Sequence, residues 1–320
     1  MDLPAHLRAA IDAALVATPL AALKTAGETL SSRYRAETRD GRLHLIDEVH
    51  AGAYVAARMP ATFAAVRRAM EEVAIARSDF APTRLLDVGS GPGTALWAAC
   101  ETWESIAEAE CLEASEPIRA MAERLAADAF SFRPRFVSGD ARRALDAARP
   151  ADLVTLAYVL DELSPQEGAR LVLDLWAKTT DTLLIVEPGT PAGWRRIITV
   201  RDALLREGAH VVAPCAHEKA CPVGEPDWCH FAQRLARSRT HRQVKGGEAP
   251  FEDEKFCYLA VSREPPSAVR ERVLAMPRTA SGLVRLKLCT HGGMLEERVV
   301  TKREGATFKA ARKSGWGDAW

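Results

Sequence analysis

What this 320-residue sequence lacks narrows its reading first. No apolar run approaches the ~18 residues that a membrane-spanning helix requires, so no transmembrane segment is expected. The opening MDLPAHLRAAIDAALVATPL has no basic n-region and carries an acid at Asp2. Leu3, Leu7, Ile11 and Leu15 recur there at helical spacing, which predicts an amphipathic helix and a cytoplasmic protein. Net charge is missing too, because 43 Lys and Arg balance 43 Asp and Glu. The balance hides an asymmetry: residues 1–190 hold 20 basic against 28 acidic side chains, and 191–320 hold 23 against 15. A basic half fits a nucleic-acid-facing module, and equally fits two oppositely charged halves in contact.

The chain divides by pattern. Residues 1–75 are Ala-rich and helical, with a polar turn at Thr38-Arg39-Asp40-Gly41-Arg42. Short apolar strands are then expected at 83–88, 110–114, 135–138, 153–158 and 182–186, separated by helical stretches such as 94–103, 117–127 and 165–179. This βαβα alternation, with continuous runs such as Leu183-Leu184-Ile185-Val186, predicts an α/β fold whose parallel sheet is covered on both faces. Strands at 210–213 and 255–262 follow, with a Cys/Pro-rich insertion at 213–250 between them. The expected units are a helical region at 1–75, a cofactor-binding domain at 76–262 and a C-terminal hairpin with a basic tail at 263–320.

The first strand ends in Asp87-Val88-Gly89-Ser90-Gly91-Pro92-Gly93. Glycines let the backbone turn sharply and approach a ligand that a β-carbon would obstruct. The dinucleotide fingerprint spaces them G-x-G-x-x-G, whereas Gly89, Gly91 and Gly93 strictly alternate, and this favours S-adenosylmethionine (SAM) over NAD. Asp87 is read as capping the turn. Glu113 lies 20 residues beyond Gly93 at the end of the second strand, where a carboxylate can accept hydrogen bonds from both ribose hydroxyls. Asp140, after the third strand, is the softer candidate for the adenine amino group, the alternative being a surface residue that caps the next helix. The fold class expected is thus a class I SAM-dependent methyltransferase-like, Rossmann-like sheet. The acceptor side is silent. After the fourth strand, Val159-Leu160-Asp161-Glu162-Leu163 stands where base N-methyltransferases carry Asn/Asp-Pro-Pro-aromatic, and no catalytic residue can be named.

Seven cysteines without an export signal argue against a disulfide framework. Cys100 and Cys111 fall in helix- and strand-like stretches and read as buried hydrophobes. Cys215, Cys221 and Cys229 lie within 15 positions, stiffened by Pro214, Pro222 and Pro226, which suggests shared metal ligation. Zinc sites prefer Cys-x₂₋₄-Cys pairs, which are absent, while iron–sulfur clusters accept more varied spacing. Cys257, Cys289, His217 and His230 are open as the fourth ligand. The run 231–245 holds five Lys and Arg and no acid, and Lys302, Arg303, Lys309, Arg312 and Lys313 follow in the tail with Trp316 and Trp320 available for stacking.

Several of these segments together resemble a methyltransferase-like family linked to assembly of the small ribosomal subunit, with bacterial and mitochondrial branches. They are Tyr54–Pro60, the glycine turn, 186–191 (Val-Glu-Pro-Gly-Thr-Pro), Pro214-Cys215 through Cys221-Pro222, Asp227-Trp228-Cys229-His230-Phe231 and 251–256. The resemblance implies a [4Fe-4S] cluster held by Cys215, Cys221, Cys229 and Cys289, with Cys257 outside the ligand set. It implies SAM as cofactor and the small ribosomal subunit or its rRNA as partner, with no membrane. Three functional readings follow: an rRNA methyltransferase-like protein with a structural cluster, a non-catalytic assembly factor that keeps the fold, and a zinc-stabilised small-molecule methyltransferase. The Cys-x₃-Cys-x₂-Cys pattern of radical-SAM enzymes is absent, so SAM would serve as an ordinary methyl donor.

Overall fold

The computed structural model describes residues 1–36, 43–139, 141–267 and 269–320, without the side chains of 141–143. The polar turn expected at 38–42 lies outside the described residues, and so does Asp140. Four helices open the chain: α1 (Ala5–Leu15), α2 (Leu20–Arg35), α3 (Glu48–Ala57) and α4 (Met59–Ala76). Leu7, Ile11 and Leu15 of α1 are buried, as their spacing requires. Asp47 starts α3 by accepting a hydrogen bond from the His50 amide at 2.8 Å.

The alternating stretch then runs β1 (Arg84–Val88), α5 (Thr94–Thr102), β2 (Glu108–Glu113), α6 (Glu116–Ala126), β3 (Arg135–Ser138), α7 (Ala141–Ala147), β4 (Ala151–Ala157), α8 (Pro165–Lys178), β5 (Thr179–Pro188), α9 (Pro191–Arg206) and β6 (His210–Ala213). Helix starts carry their chemistry locally. Ser164 and Glu167 form a reciprocal capping box on α8, and Thr190 Oγ1 accepts the Gly193 amide at 3.0 Å on α9. Next come β7 (Phe231–Ala236), α10 (Arg239–Lys245) and β8 (Phe251–Ser262). These strands form one mixed sheet in the order β3-β2-β1-β4-β5-β8-β6, with β7 paired to the first half of β8. β1 to β5 are parallel neighbours, and β8 runs antiparallel to β5, β6 and β7.

Alternation along the strands builds two cores. Leu85, Leu153 and Leu184 join the core under α3–α6, while Leu86, Val154 and Ile185 join the one under α8 and α9. Both faces are covered, as the apolar runs required. A second sheet follows: β9 (Arg272–Val273), β10 (Arg278–Ala280), β11 (Leu283–Cys289) and β12 (Leu295–Thr301), backed by α11 (Ala306–Lys313) over a small core of Val273, Val284, Leu286, Leu288, Val300 and Ala311. A buried ion pair between Glu72 of α4 and Arg272 of β9 ties this sheet to the helical start of the chain. Among the described residues, no single helix is long and apolar enough to cross a membrane.

Candidate functional site

Gly89, Gly91 and Gly93 turn the chain between β1 and α5 with φ of +66°, +54° and +78°, all in the left-handed region that a β-carbon disfavours. A Cβ on Gly89 would also meet Val159 Cγ2 at 2.4 Å, whereas one on Gly91 would meet nothing within 4 Å and so would point into open space. Glu113, at the end of β2, faces this turn. Its Oε2 accepts the Gly91 amide at 2.9 Å and its Oε1 accepts the Ser115 amide at 2.8 Å. A carboxylate offers about four acceptor positions, so two remain for hydroxyls of a bound nucleoside. Burial raises the Glu113 carboxyl above the usual range, and the Ser115 and Gly91 amides oppose that rise.

Asp87 does not cap the turn. Its side chain points into the sheet, where Oδ1 accepts the Thr155 hydroxyl at 2.7 Å, and burial pushes its carboxyl up to about 7. The neighbouring 3₁₀ turn at Leu160–Glu162 is held by buried Glu187, which accepts the Leu160 amide at 3.0 Å and lies 3.4 Å from Arg196. Burial is the main cause that raises the Glu187 carboxyl.

The glycine turn and Glu113 form one side of a cavity of about 230 Å³. Of the facing wall, the sequence had drawn attention to Tyr54 and Glu162 alone. It contains Tyr34, Tyr54 and Tyr158, three of the four tyrosines in the chain, with His44 and Glu162. Tyr34 packs 4.9 Å from His44 and 6.5 Å from Tyr54 between ring centroids, and the Arg58 guanidinium lies 5.7 Å from the Tyr34 ring. Tyr158 follows β4 with φ +58°, a conformation unusual for a bulky residue and characteristic of functional turns, and its hydroxyl donates to Glu254 at 3.1 Å. The scarcity of tyrosine was the available signal. Ser115 donates to the Leu45 carbonyl at 2.6 Å, which holds residues 43–45 against the same cavity.

The cysteines form a second locality. Cys215, Cys221 and Cys229 lie between β6 and β7, Cys289 ends β11, and all four line one cavity with Cys257 and His217. Two buried arginines fix the loop. Arg201 donates to the His217 and Lys219 carbonyls at 2.9 and 2.8 Å, and Arg272 donates to the Pro214 carbonyl at 3.0 Å. The metal-binding insertion expected from the spacing is not assembled here: among the described residues, no group of three or more His, Cys, Asp or Glu is placed to hold a metal ion. The physical reason is close packing. The free space is about 30 Å³, room for one or two water molecules. Burial, then neighbouring thiols, raise Cys221 and Cys229, and push Cys289 up to about 11, so these thiols keep their protons at neutral pH. The donor set suits a soft metal, and a cluster would require the thiols to deprotonate. Cys257 Sγ instead lies 3.2 Å from the Cys229 carbonyl, and His217 Nε2 lies 3.5 Å from Cys289 Sγ. Cys111 is buried and Cys100 half-buried, as hydrophobes are.

The basic run at 231–245 forms β7 and α10, and much of its charge is matched internally. Arg234 pairs with Asp253 at 2.7 Å, and both Arg237 and Lys245 pair with Glu252, at 2.6 and 2.7 Å. Trp316 packs edge-on against His230 at 4.6 Å and Trp320 against the C-terminal core, and both rings are half-buried.

Comparison with known proteins places the chain. It is 31% identical over 287 residues to the human "Ribosome assembly protein METTL17, mitochondrial", a match over 83% of this chain and 61% of that protein. It is 24% identical over 319 residues to the fission yeast "Rsm22-cox11 tandem protein 2, mitochondrial", over 83% of this chain and 42% of that one. The chain therefore spans less than two thirds of the length of these relatives. Among solved structures it is similar to magnesium protoporphyrin IX methyltransferase from Synechocystis PCC 6803 with bound SAH (13% identity, 73% of this chain and 94% of that one, TM-score 0.41). It is also similar to the ribosomal protein L11 methylase of Lactobacillus delbrueckii (15% identity, 61% and 77%, TM-score 0.39). Both scores are too low to carry weight. The expected cytoplasmic location is overturned, because the matched relatives are named mitochondrial and point to the mitochondrion. The helical pattern of α1 that suggested otherwise reports burial of Leu7, Ile11 and Leu15, which a chain in any compartment needs. Residues 48–320 match the family model described as "Mitochondrial small ribosomal subunit Rsm22", and the chain belongs to that family.

Proposed function

We propose that this chain is a SAM-binding, methyltransferase-like protein of small ribosomal subunit assembly that acts on the subunit or its rRNA. The observation that carries the cofactor assignment is the Gly91 amide bonded to Glu113 at 2.9 Å, beside three glycines in left-handed conformation. That arrangement gives a nucleoside a close backbone approach and a carboxylate for its ribose. Asp87, Gly89, Gly91, Gly93, Glu113 and Asp140 are the proposed cofactor residues, with Asp87 acting through the sheet. The tyrosine wall supplies flat, partly polar surfaces across the cavity for an unpaired base. Family membership and the human relative's name support the ribosomal setting. In this reading 76–262 binds the cofactor, 1–75 walls the cavity, 213–250 carries the cysteine loop, and 263–320 adds the second sheet.

Methyl transfer from a sulfonium needs chiefly positioning and a nucleophilic acceptor, so a dedicated base is not required. The same cysteines, Cys215, Cys221, Cys229 and Cys289, are proposed to hold a [4Fe-4S] cluster, with zinc as the alternative. The support is their shared cavity and soft donor chemistry. When bound, the group would cross-link the loop before β7 to β11 and take no part in methyl transfer. The second reading is a non-catalytic assembly factor, favoured by the human relative's designation as an assembly protein. Calorimetric titration with SAM followed by transfer of labelled methyl to small-subunit particles tests both. Binding with transfer supports the enzyme, binding without transfer supports the assembly factor, and no binding removes the cofactor assignment.

A further inference from the structure

We propose that the cationic ridge formed by the 3₁₀ turn Lys302–Glu304 and α11 is a docking surface for RNA phosphates. The proposal deepens the small-subunit reading above and rests on it for the identity of the RNA. The two basic runs of this sequence fare differently once folded. The longer one, in β7 and α10, is largely neutralised by Asp253 and Glu252, whose carboxyls are held below the usual range by burial-opposed bonds to Arg234, His241, Lys245 and Arg237. In the ridge, Lys302, Arg303, Lys309, Arg312 and Lys313 are all exposed, and none has an ion-pair partner among the described residues. The ridge holds one acid, Glu304, which is exposed but engaged locally: its Oε1 accepts the Thr301 amide and hydroxyl.

Lys309, Arg312 and Lys313 stand at i, i+3 and i+4, on one face of α11. Like charges so placed repel; Arg312 lies 6.0 Å from the centroid of the Phe308 ring, and no carboxylate among the described residues pairs with any of the three. The adjoining face is anchored, because Ala311 is fully buried and Phe308, which also lies under the Arg312 guanidinium, packs with it on the core of Val284, Leu286 and Val300. The cations are therefore presented on a supported platform. α11 offers no exposed large apolar side chain, which an interfacial membrane helix would need. Trp316 and Trp320 are half-buried outside α11, so the ridge itself presents charge alone. Such a surface recognises the phosphate backbone and tolerates any sequence.

The test uses the full chain and a fluorescein-labelled, mixed-sequence RNA hairpin, with affinity followed by anisotropy between 50 and 300 mM salt. K309Q/R312Q/K313Q should weaken binding about tenfold or more at 150 mM salt and flatten the slope of log affinity against log salt by about 2, with an unchanged circular dichroism spectrum. R239Q/R242Q, on α10, should leave both unchanged. The proposal is overturned if the ridge variant keeps wild-type affinity and slope, if the loss falls on the α10 variant, or if anionic vesicles bind the ridge more tightly than the hairpin. Co-sedimentation with small ribosomal subunits separates the two levels. Release of the ridge variant at a salt concentration that retains the wild type supports both. Equal retention of variant and wild type overturns the ridge and leaves the small-subunit reading intact. A wild type that binds the hairpin through the ridge but ignores the subunit overturns that reading and sustains the ridge.

Discussion

Gly91 donates its amide to Glu113 at 2.9 Å, so the turn after β1 is held by the end of β2. The bond gives the glycine turn a fixed shape before any ligand arrives, and preorganisation of that kind lowers the cost of binding. Substitution separates turn geometry from ligand space. Gly89→Ala should destabilise the fold by about 2–3 kcal/mol, since its β-carbon meets Val159 and its φ is left-handed. Gly91→Val should cost the fold only about 1–2 kcal/mol, through φ alone, yet abolish SAM binding in calorimetry. Unchanged SAM affinity in the Gly91 variant would mean that the cofactor binds elsewhere.

Buried Asp87 makes stability depend on pH in a defined direction. Its folded pKa, about 7, lies above the usual aspartate value because burial opposes the charge. The folded chain thus holds this proton more tightly than the unfolded one. The associated stability is full below about pH 4 and is lost as pH rises through about 7. Asp87→Asn should therefore gain on the wild type by about 2–4 kcal/mol between pH 4 and pH 8. Urea denaturation of both proteins across that range measures it, and parallel curves would refute the assignment.

The Glu72–Arg272 pair is buried at both ends, with 3% and 4% of side-chain exposure remaining. Glu72→Gln should cost about 3–5 kcal/mol, because it strands the buried Arg272 charge, and Arg272→Met should cost less, because Arg68 still pairs with Glu72 at 2.7 Å. The double substitution should cost less than the two losses added together. Full additivity in a denaturation cycle would contradict the pairing.

For the cysteines, anaerobic purification should give a brown protein with iron and sulfide. Cys215→Ser should bleach it, while Cys257→Ser should leave the colour. A colourless preparation containing zinc would replace the cluster with the zinc alternative.

Much of the α/β sheet was legible because each strand carries its own apolar run: 135–138 and 210–213 match β3 and β6 residue for residue. The glycine turn was legible for the same local reason. What was missed depends on contacts between distant segments. β7 was hidden because its segment read as part of the basic run 231–245, and pairing with β8, Arg234 opposite Asp253, makes it a strand. Asp87 was assigned to the turn because spacing cannot tell which way a side chain at a strand end points. The tyrosine wall draws on α2, α3 and the end of β4, so no window of sequence contains it. The cysteine spacing was visible, but the room between the thiols is a property of packing alone.

The hold of Arg272 on the Pro214 carbonyl also sets an order of events during synthesis. The loop bearing Cys215, Cys221 and Cys229 is translated well before β9 and β11, which supply Arg272 and Cys289. Until those strands leave the ribosome the loop has Arg201 but lacks the Arg272 clamp and Cys289. A nascent chain stalled after β8 would carry a complete glycine turn while Cys215, Cys221 and Cys229 still lack the cover that β9 and β11 provide.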